Sequence, residues 1–500
     1  MSTPVASRSP SPRPSFRGHG AGRPGAGRDF FYAWAIPASI GLGLISMLVM
    51  PQVSSLGYDA WSWADWGREL AHGFFIDTVN ASSSIKPLPV YICALLVPFG
   101  NNQPWAWLVI ARAGMFLAAL LAFRLGCRLS AGKWMAGLFA VGGVVTITEL
   151  LGYIFISSYS DALEVCLALW ALDLLRSGRR VGTGVVLFVA SLSRIEMTSF
   201  FAIYMAWCVW RYPHKARSAA AGMIGIAFVA FSWFGIDYLS SGNLFRSALQ
   251  AQHGNRGRPI FQPQPFVVVS EEALYGVLLP VTVAFAAEIV RDLVVLVVRR
   301  QARFTLIPAL AALCWAAGEG LMAQLHLATG SAIYLSTGLG LEAVVGGVLF
   351  GDVMAWGWAQ RRSGRAVLAG LAVVAVVLGV TSASARWTET GPVWWNTEVS
   401  SYRGALPVAA QDAQVEQAIK VAGGRSKVLG CGRIVEASSL ANPVVAWALQ
   451  IPLGHVSNDV KAAAGAVFIS PPPVPPAPQV GRGVGAWSIV EHCVPGPGAG

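Results

Sequence analysis

Charged side chains are scarce in this chain, at 12% of 500 residues, where a soluble domain carries about a quarter. With 55% hydrophobic residues and a mean hydropathy of +0.56, that supply cannot coat the surfaces of two or three soluble domains, so the chain reads as polytopic in a membrane. A cytosolic enzyme, a disordered hub and a fibrous protein are excluded together. Cysteine is sparse too, with seven residues and no metal-ligand spacing. Cys93, Cys127, Cys166, Cys208 and Cys314 sit in or beside apolar runs, as small hydrophobes do. Cys431 and Cys493 fall in the polar C-terminal part and can pair if that part lies outside the cytoplasm. A cleavable signal is missing as well: the apolar run 30–50 is too long for one and no small-residue cleavage pattern follows it, so it reads as a retained anchor.

What charge there is leans basic, with 36 Lys and Arg against 25 Asp and Glu for a net +11. Its placement argues for membrane topology rather than for nucleic acid. Residues 1–29, rich in Ser, Pro and Gly and carrying Arg8, Arg13, Arg17, Arg23 and Arg28, form a basic tail expected to be disordered and cytoplasmic. Beyond it, apolar runs predict about eleven spanning helices, near 31–50, 105–126, 134–155, 158–176, 181–193, 196–211, 217–238, 272–297, 304–323, 330–350 and 366–384. The basic clusters Arg124/Arg128/Lys133, Arg176/Arg179/Arg180, Arg211/Lys215/Arg217, Arg299/Arg300/Arg303 and Arg361/Arg362/Arg365 then share the cytoplasmic side with the N-terminus. The loop 51–104, the turn at 157–161, the hairpin tip at 193–196 and the C-terminal segment face outside. Residues 88–100 are apolar but short and broken by Pro89 and Pro98, which predicts a re-entrant or interfacial piece.

From residue 386 to 500 the composition turns soluble. Residues 408–422 and 442–450 predict helices, the second capped by Asn442, and 427–432, 465–470 and 487–493 predict strands. This is a small extracytoplasmic α/β domain, with the run 471–478 as a polyproline-type loop. The expected organisation is therefore the tail, a polytopic domain over 30–385 with its outer loop 51–104, and this domain.

Ionisable groups at membrane depth are costly, so those that remain are candidates for function. The outer loop carries GYDAWSWADWGRELAHG, where Trp61, Trp66, Leu70 and Phe74 suggest an amphipathic helix along the interface. Asp59 stands at its start, with Asp65, Arg68, Glu69 and His72 further on. Lys86 precedes Pro87-Leu88-Pro89, Asp161 opens a helix in ISSYSDALEV, and Arg194 and Glu196 flank Ile195 between two short helices. Each has a structural alternative. Asp59 and Asp161 can cap helices, Arg194 and Glu196 can form an internal ion pair, and Lys86 can snorkel. Glu149, Glu319 and His326 read as structural, Asn80-Ala81-Ser82 fits a glycosylation sequon or any polar loop, and the Gly-rich GLGLEAVVGG reads as close helix packing.

The order of these features resembles the GT-C superfamily of integral-membrane glycosyltransferases. It is nearest to bacterial relatives of protein mannosyltransferases and lipid A aminoarabinose transferases, over about residues 31–240. The resemblance implies a GT-C type helix bundle and the transfer, with inversion, of a sugar from a polyprenyl-phosphate donor to an extracytoplasmic glycan, lipid or protein. It makes Asp59 the catalytic base and Asp161 its later helix-opening acid. The family's Asp-Glu pair is Asp59-Ala60 here, which leaves Asp65 or Glu69 to supply a second acid, with Arg68 beside them in the same substrate-binding loop. Its Lys-Pro-Pro becomes Lys86-Pro87-Leu88-Pro89 and its Arg-Pro-Glu becomes Arg194-Ile195-Glu196. Its late Arg-Tyr pair becomes Ile333-Tyr334, which leaves the phosphate to Arg194, Lys86, Arg246, His253, Arg256 or Arg258. Asp59 and Asp65 lack DxD spacing, so no metal or other cofactor is expected. The partners implied are the lipid-linked donor, its acceptor and membrane lipids, with no nucleic acid, at the plasma membrane. A transporter or flippase is the alternative, although no internal repeat of the kind transporters show is present. A non-catalytic membrane partner that binds through its outer domain is the third reading.

Overall fold

In the computed structural model the described residues are 30–51, 56–78, 85–131, 133–147, 155, 158–253, 261–326, 332–359, 387–388, 391–392, 412, 414–432, 434–436, 441–457, 465–469 and 488–492. The body is a helix bundle. It comprises α1 (Phe31–Val49), α2 (Tyr58–Ala71), α3 (Pro87–Leu95), α4 (Gln103–Leu129), α5 (Trp134–Val145), α6 (Asp161–Arg176), α7 (Arg180–Ser193) and α8 (Met197–Arg211). There follow α9 (Lys215–Ala230), α10 (Ile236–Ser241), α11 (Arg246–His253), α12 (Pro265–Tyr275), α13 (Leu279–Arg299), α14 (Leu306–Gln324) and α15 (Ser336–Ala359). α15 runs through the middle, packed on α4, α5, α6, α13 and α14. Its glycines allow this: a Cβ on Gly347 would lie 2.6 Å from the Ala136 carbonyl oxygen, and one on Gly346 would lie 3.0 Å from that of Val281. The Gly-rich run thus serves close packing, as small residues do between membrane helices.

Among the described residues, five stretches are long and apolar enough to cross a membrane, Phe31–Val49, Val97–Leu129, Lys215–Ser241, Leu306–Gln324 and Ile333–Ala359. Outward-facing Leu48, Val181, Ile203, Trp210, Val297 and Val298 are largely exposed, a surface that suits lipid and not water. The chain is a multi-pass membrane protein. The remaining predicted spans are shorter or divided. α5, α7 and α8 have 12, 14 and 15 residues, and α6 with 16 reaches about 24 Å against a hydrocarbon core of about 30 Å. The predicted span 272–297 breaks at Gly276 into α12 and α13, because Pro280 can open a helix but not continue one. The predicted span 366–384 lies outside the described residues.

One end of the bundle gathers basic residues of the predicted clusters; Arg361, Arg362 and Arg365 lie outside the described residues. Arg124 and Arg128 bind Asp173, Arg176 lies over Phe304, Arg180 lies over Tyr212, and Arg291 and Arg303 reach Asp352 together with Lys133. The outer loop sits at the other end. α3 has nine residues, about 14 Å, so it does not span, and a 3-10 turn at Val97–Asn102 leads from it into α4. α2 does not present the single lipid-facing apolar side expected of an interfacial helix. Trp63 and Trp66 are fully buried, and Trp61 packs on Trp447 of the C-terminal part. Indoles on both sides of the helix demand two covers, and the C-terminal domain supplies the second.

That domain begins with a two-residue pairing of Trp387–Thr388 (β1) and Gly391–Pro392 (β2), and residues 414–421 are helical. Its sheet has the order β4-β3-β5-β6, with β3 (Ile434–Glu436) parallel to β4 (Val456–Ser457) and β5 (Gly465–Ile469), and β6 (Ser488–His492) antiparallel to β5. The α/β expectation holds, with two local corrections. Residues 427–432 are not a strand: Arg425–Gly430 is a helix, since so short an apolar run does not itself choose between the two. The helix Asn442–Leu449 is capped by Ala441, and Asn442 turns inward to donate to the Val456 carbonyl. Cys431 is disulfide-bonded, whereas Cys93, Cys127, Cys166, Cys208 and Cys314 are free. Residues 471–478 and Cys493 lie outside the described residues.

Candidate functional site

At the end of the bundle away from the basic clusters, five chain segments converge. Pro87 as the first residue of α3 keeps Lys86 out of the helix, in extended backbone. The first turn of α6 supplies Asp161 and Glu164, and Ser160 precedes it. Arg194 is extended between α7 and α8, where the chain must reverse, and its side chain is 4% exposed. The end of α14 adds Glu319, and the 3-10 turn Ala332–Leu335 adds Tyr334.

Glu164 is the centre of the resulting network. Its Oε1 accepts from Lys86 Nζ at 3.0 Å, from Ser160 Oγ at 2.8 Å and from Ser193 Oγ at 3.1 Å, while its Oε2 lies 3.2 Å from Arg194 Nε. Lys86 also donates to Ser160 Oγ at 2.8 Å. Asp161 stands close to both cations, 3.8 Å from Lys86 and 4.0 Å from Arg194, yet neither of its buried oxygens accepts a hydrogen bond. Glu196 and Glu319 each lie 3.9 Å from Arg194, and both Glu319 oxygens are likewise without a hydrogen bond. The Arg194 guanidinium stacks 4.3 Å from the Tyr334 ring centre, a ring held from behind by the Trp315 indole N–H on the Tyr334 carbonyl.

Asp59, in the first turn of α2, belongs to the same neighbourhood. Burial pushes its carboxyl up to about 6, the Lys86 ammonium pulls it down, and Asp161 adds to the rise. Burial works against the Lys86 ammonium, but Asp161 and Glu164 outweigh it and hold Lys86 above the usual lysine value. Trp63, one turn along α2 from Asp59, lies under Lys86 at 5.7 Å. The half-buried Asp59 carboxyl therefore titrates nearer neutrality than an exposed aspartate, under the opposing pulls of burial and the Lys86 ammonium.

The structure does not bring Asp65, Arg68 and Glu69 to this cluster. Asp65 is six residues from Asp59, a rotation of about 240° around the helix, and faces the C-terminal domain instead. There Arg68 binds Asp65 at 2.8 Å, donates to the Ile451 carbonyl at 2.9 Å and lies over Trp447 at 4.7 Å. Glu69 accepts the Leu453 N–H at 2.6 Å, and burial pushes its carboxyl up to about 7 against the pull of that N–H and of Arg68. Arg68 and Glu69 thus contact the C-terminal domain and not the cluster. Arg246 stands beside Asp237, away from the cluster, and His326 is exposed at the end of α14. Glu149, Asn80, Arg256, Arg258 and the side chain of His253 lie outside the described residues. Among the described residues, no group of three or more His, Cys, Asp or Glu is placed to hold a metal ion.

Solved structures similar to this chain include two of one protein. Both are crystal structures of ArnT from Cupriavidus metallidurans, one bound to undecaprenyl phosphate and the other in the apo state. Each is 13% identical to the chain and covers 87% of it, over 93% and 94% of their own lengths, with TM-scores of 0.48 and 0.46. No protein-family model matches the chain, and no curated protein matches it.

Sequence reasoning missed Glu164 and set Glu319 aside. Glu164 had a signal, since an acid at i+3 from Asp161 shares its helix face and both stand in the first turn of an otherwise apolar helix. Glu319 had none, because its proximity to Arg194 joins residues far apart in the chain.

Proposed function

We propose that this chain is a GT-C type glycosyltransferase that moves a sugar from a polyprenyl-phosphate donor to an acceptor hydroxyl of the cell envelope, on a glycan, lipid or protein. The observation that carries it is the meeting of Asp59, Asp161, Lys86 and Arg194, from four separate segments, at one end of the membrane bundle. The donor already has a good leaving group, so the reaction needs a base for the acceptor, cations for the departing phosphate and little else. Asp59 takes the acceptor proton as its oxygen attacks the anomeric carbon. The bond from that carbon to the phosphate oxygen breaks on the opposite face, and Lys86 and Arg194 stabilise the charge left on the phosphate. One displacement inverts the anomeric centre.

The arginine that the family pairs with a late tyrosine is absent from the 330–338 segment, but Arg194 reaches Tyr334 from another part of the chain. This supports the same phosphate role for the pair. The basic clusters at the far end support a cytoplasmic placement of that end, with the site and C-terminal domain outside. A disulfide at Cys431 fits an oxidising compartment.

A flippase would place its acids near the midplane at discontinuous helices, whereas here they gather at one end. The test uses the protein in proteoliposomes with a polyprenyl-phosphate sugar labelled in the sugar. Acceptor-dependent appearance of free polyprenyl phosphate supports the transferase. Passage of intact donor across the bilayer with no cleavage overturns it in favour of the flippase.

A further inference from the structure

Asp161 presents a physical puzzle. A buried carboxylate within 4.0 Å of two cations, the half-buried Lys86 and the buried Arg194, would ordinarily close on one of them, since unpaired burial of a charge is costly. Lys86 is hydrogen-bonded elsewhere, and Arg194, whose Nε and Nη2 make no hydrogen bond, lies nearer to Glu164 than to Asp161. Glu164 takes Lys86 on one oxygen and faces Arg194 with the other, and the hydroxyls of Ser160 and Ser193 complete the first oxygen's shell. Ser160 accepts from Lys86 and donates to Glu164, so the serine fixes the lysine's direction as well. The neighbouring acids do not compete for this role, because Glu196 and Glu319 stand 3.9 Å from Arg194 and make no ion pair with Lys86 among the described residues.

We infer that Glu164 is the positioning residue of this site: it ties Lys86 and Arg194 to each other and holds both off Asp161, which keeps the Asp161 carboxylate open toward the substrates. This rests on the transferase reading above and deepens it. Glu164 touches no reacting atom in this account. Without its charge the two cations lose their common anchor and collapse onto Asp161, so cations and acid are withdrawn together.

The experiment compares Glu164→Gln and Glu164→Asp with wild type for donor cleavage, normalised to folded protein by detergent gel filtration and melting. Glu164→Gln is expected to lower kcat about 10²-fold, the scale of a misplacement of about 1 Å near a reacting centre. Glu164→Asp, which retains the carboxylate, is expected to recover a substantial part. The acid limb of the pH–rate profile of Glu164→Gln is expected to move to lower pH, because the site around Asp59 then carries one negative charge fewer. A merely structural glutamate would reduce folded protein and leave the limb in place. Wild-type kcat and KM in folded Glu164→Gln, or a loss that Glu164→Asp does not relieve with an unmoved limb, overturns the proposal. If Glu164→Gln does not fold, Ser160→Ala combined with Ser193→Ala removes two donors from the same oxygen. A kcat loss in the same direction supports the role and an unchanged kcat overturns it. Absence of donor cleavage by wild type itself refutes the transferase reading, a result distinct from failure of the role of Glu164.

Discussion

The Asp59 carboxyl makes the most quantitative prediction, the pH dependence of the transfer. An exposed aspartate is ionised down to about pH 4, so a solvated base there would keep the reaction near full rate at pH 5. Burial and Asp161 raise Asp59 to about 6, with Lys86 limiting the rise. The sign follows from the role: only the carboxylate accepts the acceptor's proton, so activity is retained above the raised value and lost as pH falls through it. With a midpoint near 6, about nine-tenths of the enzyme is in the active form at pH 7 and about one-tenth at pH 5, a fall of about tenfold. The assay is the initial rate of sugar transfer at subsaturating donor from pH 4.5 to 8, with detergent-solubilised protein checked for reversibility. Lys86→Met removes the cation that lowers Asp59, so its residual activity should show the limb displaced above 6. A wild-type limb below about 4.5, or a Lys86→Met limb displaced downward, would refute the reasoning.

Other consequences are local. Gly67→Ala places a methyl 2.5 Å from the Cys93 Cβ and 2.7 Å from the Ala94 nitrogen, which pushes α2 away from α3 and with it Asp59 from Lys86. Steady-state kinetics should show a loss of about 10²-fold, with destabilisation of about 1–3 kcal/mol in melting. Arg194→Lys keeps a charge but loses both the planar fork and the stack on Tyr334, and kcat should fall about 10²-fold. Glu69→Ala removes the acceptor for the Leu453 N–H, a bond to a charged group whose loss costs about 1.5–3 kcal/mol. Its effect should appear as faster hydrogen exchange at 451–455, with transfer retained, and loss of transfer without faster exchange would contradict a docking role.

How much of this could be read in the residues themselves depended on the kind of information each carried. Asp59, Lys86, Asp161 and Arg194 stood out because ionisable groups are rare in an apolar chain, and a helix start, a proline or the break between two short helices marks each place. Asp65, Arg68 and Glu69 shared the loop and the chemistry but not the face, and the side of α2 that meets Lys86 is set by Gly67 packing on Cys93, a contact 26 residues away in the chain. The stack of Arg194 on Tyr334 was likewise invisible, since it joins two segments far apart in the chain. In the C-terminal domain, periodicity found the helix over 414–421 and the strands at 465–469 and 488–492. The four apolar or small residues around Val428 were too few to separate helix from strand.

The most direct measurement is sugar transfer from a radiolabelled polyprenyl-phosphate donor by Asp59→Asn, a near-isosteric change that removes the base and leaves the cations in place. Loss of a positioned general base predicts a rate lower by about 10²–10⁴-fold in protein that still folds and melts like wild type. Transfer by folded Asp59→Asn at the wild-type rate would contradict the assignment of Asp59 as the base, and with it the chemistry placed at this end of the bundle.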